Sequence, residues 1–144
     1  ENTMLKSFAA AAALSLAVMA PGVSAQAQDP SGAELVDLLL DMVSSEADLT
    51  MQGKVAGRLS QGASGTATLQ VPAGPVALIG VCDENCSDVD LIVRDPSGRE
   101  VGRDFEDDDV PMVVFEAATA GRYTVEVQMP ACNGTCNWGV GVFN

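Results

Sequence analysis

Arg122-Tyr123-Thr124-Val125-Glu126-Val127-Gln128-Met129 alternates apolar and polar residues without a break. Successive side chains of a strand point to opposite faces. Tyr123, Val125, Val127 and Met129 are therefore predicted to face a core, with Thr124, Glu126 and Gln128 turned outward. Thr119-Ala120-Gly121 punctuates the run on its N-terminal side, as strand boundaries require.

Working outward from that strand, the same period of two recurs from Met51 onward. Strand-like runs fall at 54–60, 66–71, 76–82, 88–94, 99–103, 111–116, 122–129 and 136–143. Turn-forming clusters separate them: Gln61-Gly62-Ala63-Ser64-Gly65, Pro72-Ala73-Gly74-Pro75 and Asp95-Pro96-Ser97-Gly98. The last places Asp at i, Pro at i+1 and Gly at i+3, the residues a type I turn prefers. Eight short strands with no helical period between them exclude a parallel α/β sheet. They predict an all-β fold, an eight-stranded antiparallel β-sandwich of jelly-roll type.

Ahead of the strands the period changes to 3.6. Ser31-Gly32-Ala33-Glu34 has the form of a capping box, with Ser31 as N-cap and Glu34 reaching back. Leu35, Leu38, Leu39, Met42 and Val43 fall on one predicted face, and Glu34, Asp37, Asp41, Ser44, Ser45 and Asp48 on the other. This amphipathic helix can either pack on the following domain or dock onto a partner protein. Its acidic face opposes an anionic membrane surface.

The N-terminal stretch reads as a cleavable signal peptide. Met4-Leu5-Lys6-Ser7 is a short basic region, Phe8 to Ala20 is an alanine-rich apolar run, and Val23-Ser24-Ala25 supplies small residues at −3 and −1. Met4 reads as the initiator, and cleavage is expected after Ala25, with Ala27 as the second choice. The apolar run is shorter than the roughly 20 residues of a membrane span. No second such run and no cysteine at the cleavage point suggests an anchor, so no membrane insertion is expected after cleavage. The expected division is a leader at 1–25, a linker and helix at 26–50, and the sandwich at 51–144. A secreted or periplasmic location follows.

Twenty acidic residues against seven basic ones set the net charge at −13. Residues 1–25 hold one of each sign, so the whole excess belongs to the exported part. Nucleic acid repels such a surface before any specific contact forms. The chain has no histidine. That removes Ser-His and Cys-His nucleophiles and histidine-ligated metals together. Ser64 in Gly62-Ala63-Ser64-Gly65-Thr66 lacks the last glycine of a nucleophile elbow.

The four cysteines stand as Cys82-x-x-x-Cys86 and Cys132-x-x-x-Cys136. In an oxidising compartment an even count reads as disulfides, with three connectivities open. Asp83-Glu84-Asn85 and Asn133-Gly134-Thr135 are turn-forming tripeptides, which favours two local bridges. A four-cysteine zinc site is the rival, although its usual spacer has two residues.

Carboxylates cluster at Asp88-Val89-Asp90 and at Asp104-Phe105-Glu106-Asp107-Asp108-Asp109. Oxygen donors suit calcium, and Asp88, Asp90, Asp104, Asp107 and Asp108 are the candidate ligands. The EF-hand template fails, because Asp109 and Phe115 stand where its glycine and bidentate glutamate belong. Two readings stay open. Either the first pair accepts backbone hydrogen bonds at a strand entry beside a solvated loop, or the run gathers around a calcium ion.

Two segments resemble the bacterial pre-peptidase C-terminal domain family: Val81-Cys82-Asp83-Glu84-Asn85-Cys86-Ser87-Asp88-Val89-Asp90-Leu91 with Asp95-Pro96-Ser97-Gly98, and Phe115 through Gly121-Arg122-Tyr123-Thr124-Val125-Glu126-Val127. In that family an Asp-x-Asp-Leu strand leads into an Asp-Pro-x-Gly turn, and a Gly-x-Tyr-x-Val strand closes the sandwich. The likeness spans about residues 51–143. It implies a secreted jelly-roll-like sandwich that is not itself catalytic, is usually appended to a secreted peptidase, and in some members binds calcium. Here a helix and a leader stand where the peptidase would be.

The expected function is an exported, non-catalytic binding or structural module with a protein or glycan partner in the cell envelope. The alternative is a glycan hydrolase using two carboxylates. Trp138 and Tyr123 are the only aromatics with polar tips, and both fall in strand alternation, which assigns them to the core. Nothing in the sequence sets the oligomeric state.

Overall fold

The computed structural model describes residues 31–144. The leader and its cleavage point after Ala25 lie outside the described residues. One helix, α1 (Gly32–Glu46), precedes eight strands: β1 (Met51–Ser60), β2 (Ser64–Val71), β3 (Gly74–Cys82), β4 (Cys86–Arg94), β5 (Glu100–Asp104), β6 (Met112–Ala117), β7 (Gly121–Cys132) and β8 (Thr135–Phe143).

The strands form two antiparallel four-stranded sheets, ordered β1-β8-β3-β6 and β2-β7-β4-β5. Consecutive strands alternate between the sheets except at the β4–β5 hairpin. That order makes the sandwich a jelly roll, as the alternation predicts. The inward faces meet in one core containing Leu78 of β3, Leu91 and Val93 of β4, Tyr123 to Met129 of β7, and Trp138, Val140 and Val142 of β8. Tyr123, Val125, Val127 and Met129 are all buried there. Tyr123 resolves its hydroxyl by donating to the Thr119 carbonyl at 2.9 Å.

The turns follow their chemistry. Gly98 N–H donates to Asp95 O at 2.9 Å, and Asp95 Oδ1 accepts from the N–H groups of Ser97 and Arg99 at 3.0 Å each. Gly98 has φ +86°, a left-handed conformation that glycine adopts without a Cβ clash. β7 extends past the predicted end at Met129, through Pro130 to Cys132. Pro130 is tolerated because β2 pairs only as far as Gln128, and the β4 register shifts between Asp88 and Asp90 at that level.

α1 lies on the outer face of the β1-β8-β3-β6 sheet. Its capping box is formed, with Ser31 N–H donating to Glu34 Oε2 at 2.7 Å and Glu34 N–H to Ser31 Oγ at 3.3 Å. Val36 and Leu40 are the buried helix residues, packed with Ile79, Val81 and Phe143 in a second cluster. This corrects the predicted face. Leu39 and Val43 pack at its margin, whereas Leu38 and Met42 are 51% and 50% exposed. Seven apolar residues between Leu35 and Val43 cover more than half the helix circumference, so periodicity alone could not choose the buried stripe.

The sheet makes that choice. A methyl at position 139 would stand 2.5 Å from Val36 Cγ1 and 3.2 Å from Leu40 Cδ1, so Gly139 is the slot into which the helix settles. Lys54 of β1 reaches Asp37 at 2.8 Å on the opposite flank of the helix, an exposed pair that solvent screens and that adds little to stability.

Candidate functional site

The four cysteines pair locally as Cys82–Cys86 and Cys132–Cys136. No cysteine is free, which removes the four-cysteine zinc reading. The bridges close the β3–β4 and β7–β8 turns, and these turns lie side by side, with Asn133 N–H donating to Asn85 O at 2.8 Å. Buried Asp83 ties them further, accepting from Asn85 N–H at 3.1 Å and from the backbone and side-chain N–H groups of Asn137 at 2.7 and 2.8 Å. Each five-residue ring constrains the unfolded chain by only about 2 kcal/mol. This end of the sandwich is a structural clamp.

The two carboxylate segments do come together. After β5 the chain continues beside β4, and Val89 N–H donates to Asp108 O at 3.0 Å. That places Asp104, Asp107 and Asp108 around Asp88 and Asp90. Burial, then the charges of Asp107 and Asp108, raise Asp88 above the ordinary aspartate pKa. Burial raises Asp90 likewise, reinforced by Asp88, Asp104, Asp107 and Asp108. Asp90 is only 9% exposed, and Asp88 Oδ1 is buried with no hydrogen-bond partner among the described residues.

This arrangement does not fit calcium. The ion takes six to eight oxygens at about 2.3–2.6 Å. Among the described residues no three carboxylates or cysteines are placed to hold a metal. Several oxygens are already engaged. Asp104 accepts from Glu106 N–H at 3.0 Å and Met112 N–H at 2.8 Å, and Asp108 accepts from Val110 N–H at 2.9 Å. These carboxylates order the loop and aim the start of β6.

That loop leads to the largest departure from the predicted surface. β6 is the outer strand of its sheet, and Met112 and Val114 on its outer face are 52% and 69% exposed. They pair in register with Ile79 and Ala77, which lie beneath α1. Val110, also exposed, joins Leu39, Met42 and Val43 in a cleft of about 170 Å³ that Glu46 and Asp109 border. The exposed flank of α1 and Val110, at the entry to β6, thus share one largely apolar cleft, and the exposed face of β6 follows directly after it in the chain. The sequence carried a signal for it: Val110-Pro111-Met112-Val113-Val114-Phe115 is apolar on both faces, unlike a strand with one face in water.

A second cleft, about 280 Å³, lies on the other flank of α1 between Ala33, Ala56, Arg58 and Asn137. Asp88 and Asp90 line neither cleft. Trp138 and Tyr123 are buried in the sandwich core, at 5% and 2% exposure, although Trp138 also forms part of the wall of this second cleft.

No family model matches the chain, and no curated protein matches it. Among solved structures, the crystal structure of a periplasmic inhibitor of g-type lysozyme from Aeromonas hydrophila, PliG, is similar at 19% sequence identity. The superposition has a TM-score of 0.43 and covers 62% of this chain and 84% of that one.

Proposed function

We propose that this protein is an exported, non-catalytic binding module whose working surface is the apolar face shared by α1 and β6. One observation carries the reading. Leu38, Met42, Val110, Met112 and Val114, on α1 and in or just before β6, are about half exposed or more. Among the described residues Phe105 is the one other large apolar side chain exposed to that degree. Grouped apolar exposure of this kind marks an interaction surface, whereas single exposed residues are ordinary.

Two further features support the reading. The disulfides belong to a chain that matures in an oxidising compartment, which agrees with the leader expected at 1–25. Asp88 and Asp90 line neither of the two clefts beside α1, which counts against a hydrolase built on that pair. Kinship with pre-peptidase C-terminal domains is part of the same proposal. Its support is the Asp88-x-Asp90-Leu91 strand running into the Asp95-Pro96-Ser97-Gly98 turn of a jelly roll.

The test is site-specific photocrosslinking in the producing cell. A benzophenone side chain at position 114 is expected to form an adduct with another protein, while the same group at exposed Thr68 on β2 forms none. Equal labelling at both positions, or none at 114, overturns the assignment of this face.

A further inference from the structure

A jelly roll has four edge strands, and an edge strand with unpaired backbone groups invites another chain unless something blunts it. Three edges here are blunted. β1 carries Lys54 and Arg58 and a register shift between Met51 and Gly53. β2 reads Ser64-Gly65-Thr66-Ala67-Thr68, small and polar at its start. β5 is five residues long, contains Glu100 and Arg103, and faces a register shift in β4. β6 carries Glu116, and its Met112 N–H already donates to Asp104 Oδ2. It has no basic residue and no register shift, and its outward face is otherwise apolar. Its sequence is Met112-Val113-Val114-Phe115-Glu116-Ala117, with Met112 and Val114 outward and exposed.

On the α1 side of this edge the charge has one sign, whereas β5, on the other side, carries Arg103 paired with Glu100. Glu46 and Asp109 border the cleft, and Glu116 follows Val114 on the same face of β6. No lysine or arginine occurs in α1, β3, β6, β8 or the loop at 105–111. The basic residues of that sheet, Lys54 and Arg58, lie on β1 at its far edge. A second copy of this chain would bring its own carboxylates against these and carries the same net charge of −13. An extended segment with basic residues would meet the rim with complementary charge and the groove with its apolar side chains.

We propose that the edge of β6 receives an extended, basic segment of a partner protein as a fifth strand, with apolar side chains of that segment meeting Met112 and Val114 and reaching the groove between α1 and Val110 at the entry to β6. This rests on the reading of the α1–β6 face as the binding surface and adds the chemistry of its occupant. Backbone hydrogen bonds along β6 would supply part of the affinity, and the groove and the acidic rim would set the preference.

The experiment uses the whole protein and three fluorescent eight-residue peptides: alternating valine and lysine, alternating valine and glutamate, and the valine–lysine peptide N-methylated on alternate amides so that one edge cannot pair. The valine–lysine peptide is expected to bind at least about tenfold more tightly than either of the others. Val114→Lys is expected to weaken it by about tenfold, because it adds repulsion and removes apolar surface, whereas Thr68→Lys on β2 leaves it unchanged. Val114→Ser, which adds no charge, should weaken it less but measurably.

Equal binding of the glutamate peptide overturns the basic partner, and equal binding of the N-methylated peptide overturns strand addition. Weakening by Thr68→Lys as large as by Val114→Lys reduces the effect to bulk charge and overturns the site. A dimer in sedimentation that Val114→Lys converts to monomer makes the occupant a second copy. If position 114 photocrosslinks a partner while no peptide binds, the strand-addition proposal falls and the binding face stands. If both fail, the face itself is misassigned.

Discussion

Asp83 Oδ2 accepts hydrogen bonds from both the backbone N–H and the side-chain amide of Asn137, at 2.7 and 2.8 Å. The two residues are 54 apart in sequence. They join the disulfide-closed β3–β4 turn to β8 next to the disulfide-closed β7–β8 turn. Removing a buried carboxylate that accepts three such bonds strands their donors. Asp83→Ala is expected to cost about 3 kcal/mol, and Asp83→Asn distinctly less because it keeps one acceptor oxygen. Thermal melts check this, and an alanine variant melting with the wild type would show that the tether contributes nothing.

The helix slot is open to a direct test. Gly139→Ala places a methyl against Val36, a β-branched side chain with little freedom to move aside. Overpacking of this kind costs about 1–3 kcal/mol, and here it should act by lifting α1. Hydrogen exchange is expected to speed up across Gly32–Glu46 before it changes in the sandwich.

The buried stripe and the exposed flank of α1 should respond differently. Leu40→Ala removes a fully buried side chain and is expected to cost about 2–5 kcal/mol. Met42→Gln changes a half-exposed position and is expected to stay within about 0.5 kcal/mol. Denaturant melts of the two variants check the contrast. A large loss from Met42→Gln would mean that this flank is held by something within the chain.

Asp88 and Asp90 shift in the direction that makes them liabilities at neutral pH. Their folded pKa values lie above the unfolded value of about 3.9, so between those limits the folded state holds more protons than the unfolded one. Their contribution to stability therefore falls as pH rises through that window and recovers as pH drops. Asp90→Asn removes the charge with little change of shape. It is expected to raise the Tm at pH 7 and to lose that advantage below the ordinary aspartate range. The carboxylates of Glu34, Asp95, Glu100 and Glu126 are shifted down by hydrogen bonds and work in the opposite sense. Only the difference between wild type and variant isolates Asp90.

Calcium is expected to leave the fold unchanged. A ligand that binds the folded state must stabilise it, so a site occupied at millimolar calcium would lift the Tm by several degrees. With both Asp104 carboxylate oxygens and Asp108 Oδ1 accepting backbone N–H groups, the expected shift between calcium and chelator is within about 1 °C. A rise of several degrees would overturn the fit argument.

Much of the fold was legible because its signals are local. The period-two run at 122–129, the Asp95-Pro96-Ser97-Gly98 turn and the Ser31–Glu34 capping box each depend on a few adjacent residues, and each formed as read. The cysteine pairing was local too, closed by turn residues inside each ring. The two carboxylate segments were legible as composition, and their meeting depends on the chain after β5 running beside β4.

What the sequence by itself determined is the alternation that builds two sheets, the turns that join them, and a helix apolar on more than half of its surface. Tertiary structure alone decided which stripe of that helix is buried. Gly139 opens the slot for Val36 and Leu40, and a residue's neighbours across a sheet cannot be read from its neighbours along the chain. Tertiary structure likewise decided that β6 is an edge. A strand apolar on both faces suits a covered position and an open one equally, and only the order β1-β8-β3-β6 leaves Met112 and Val114 in solvent.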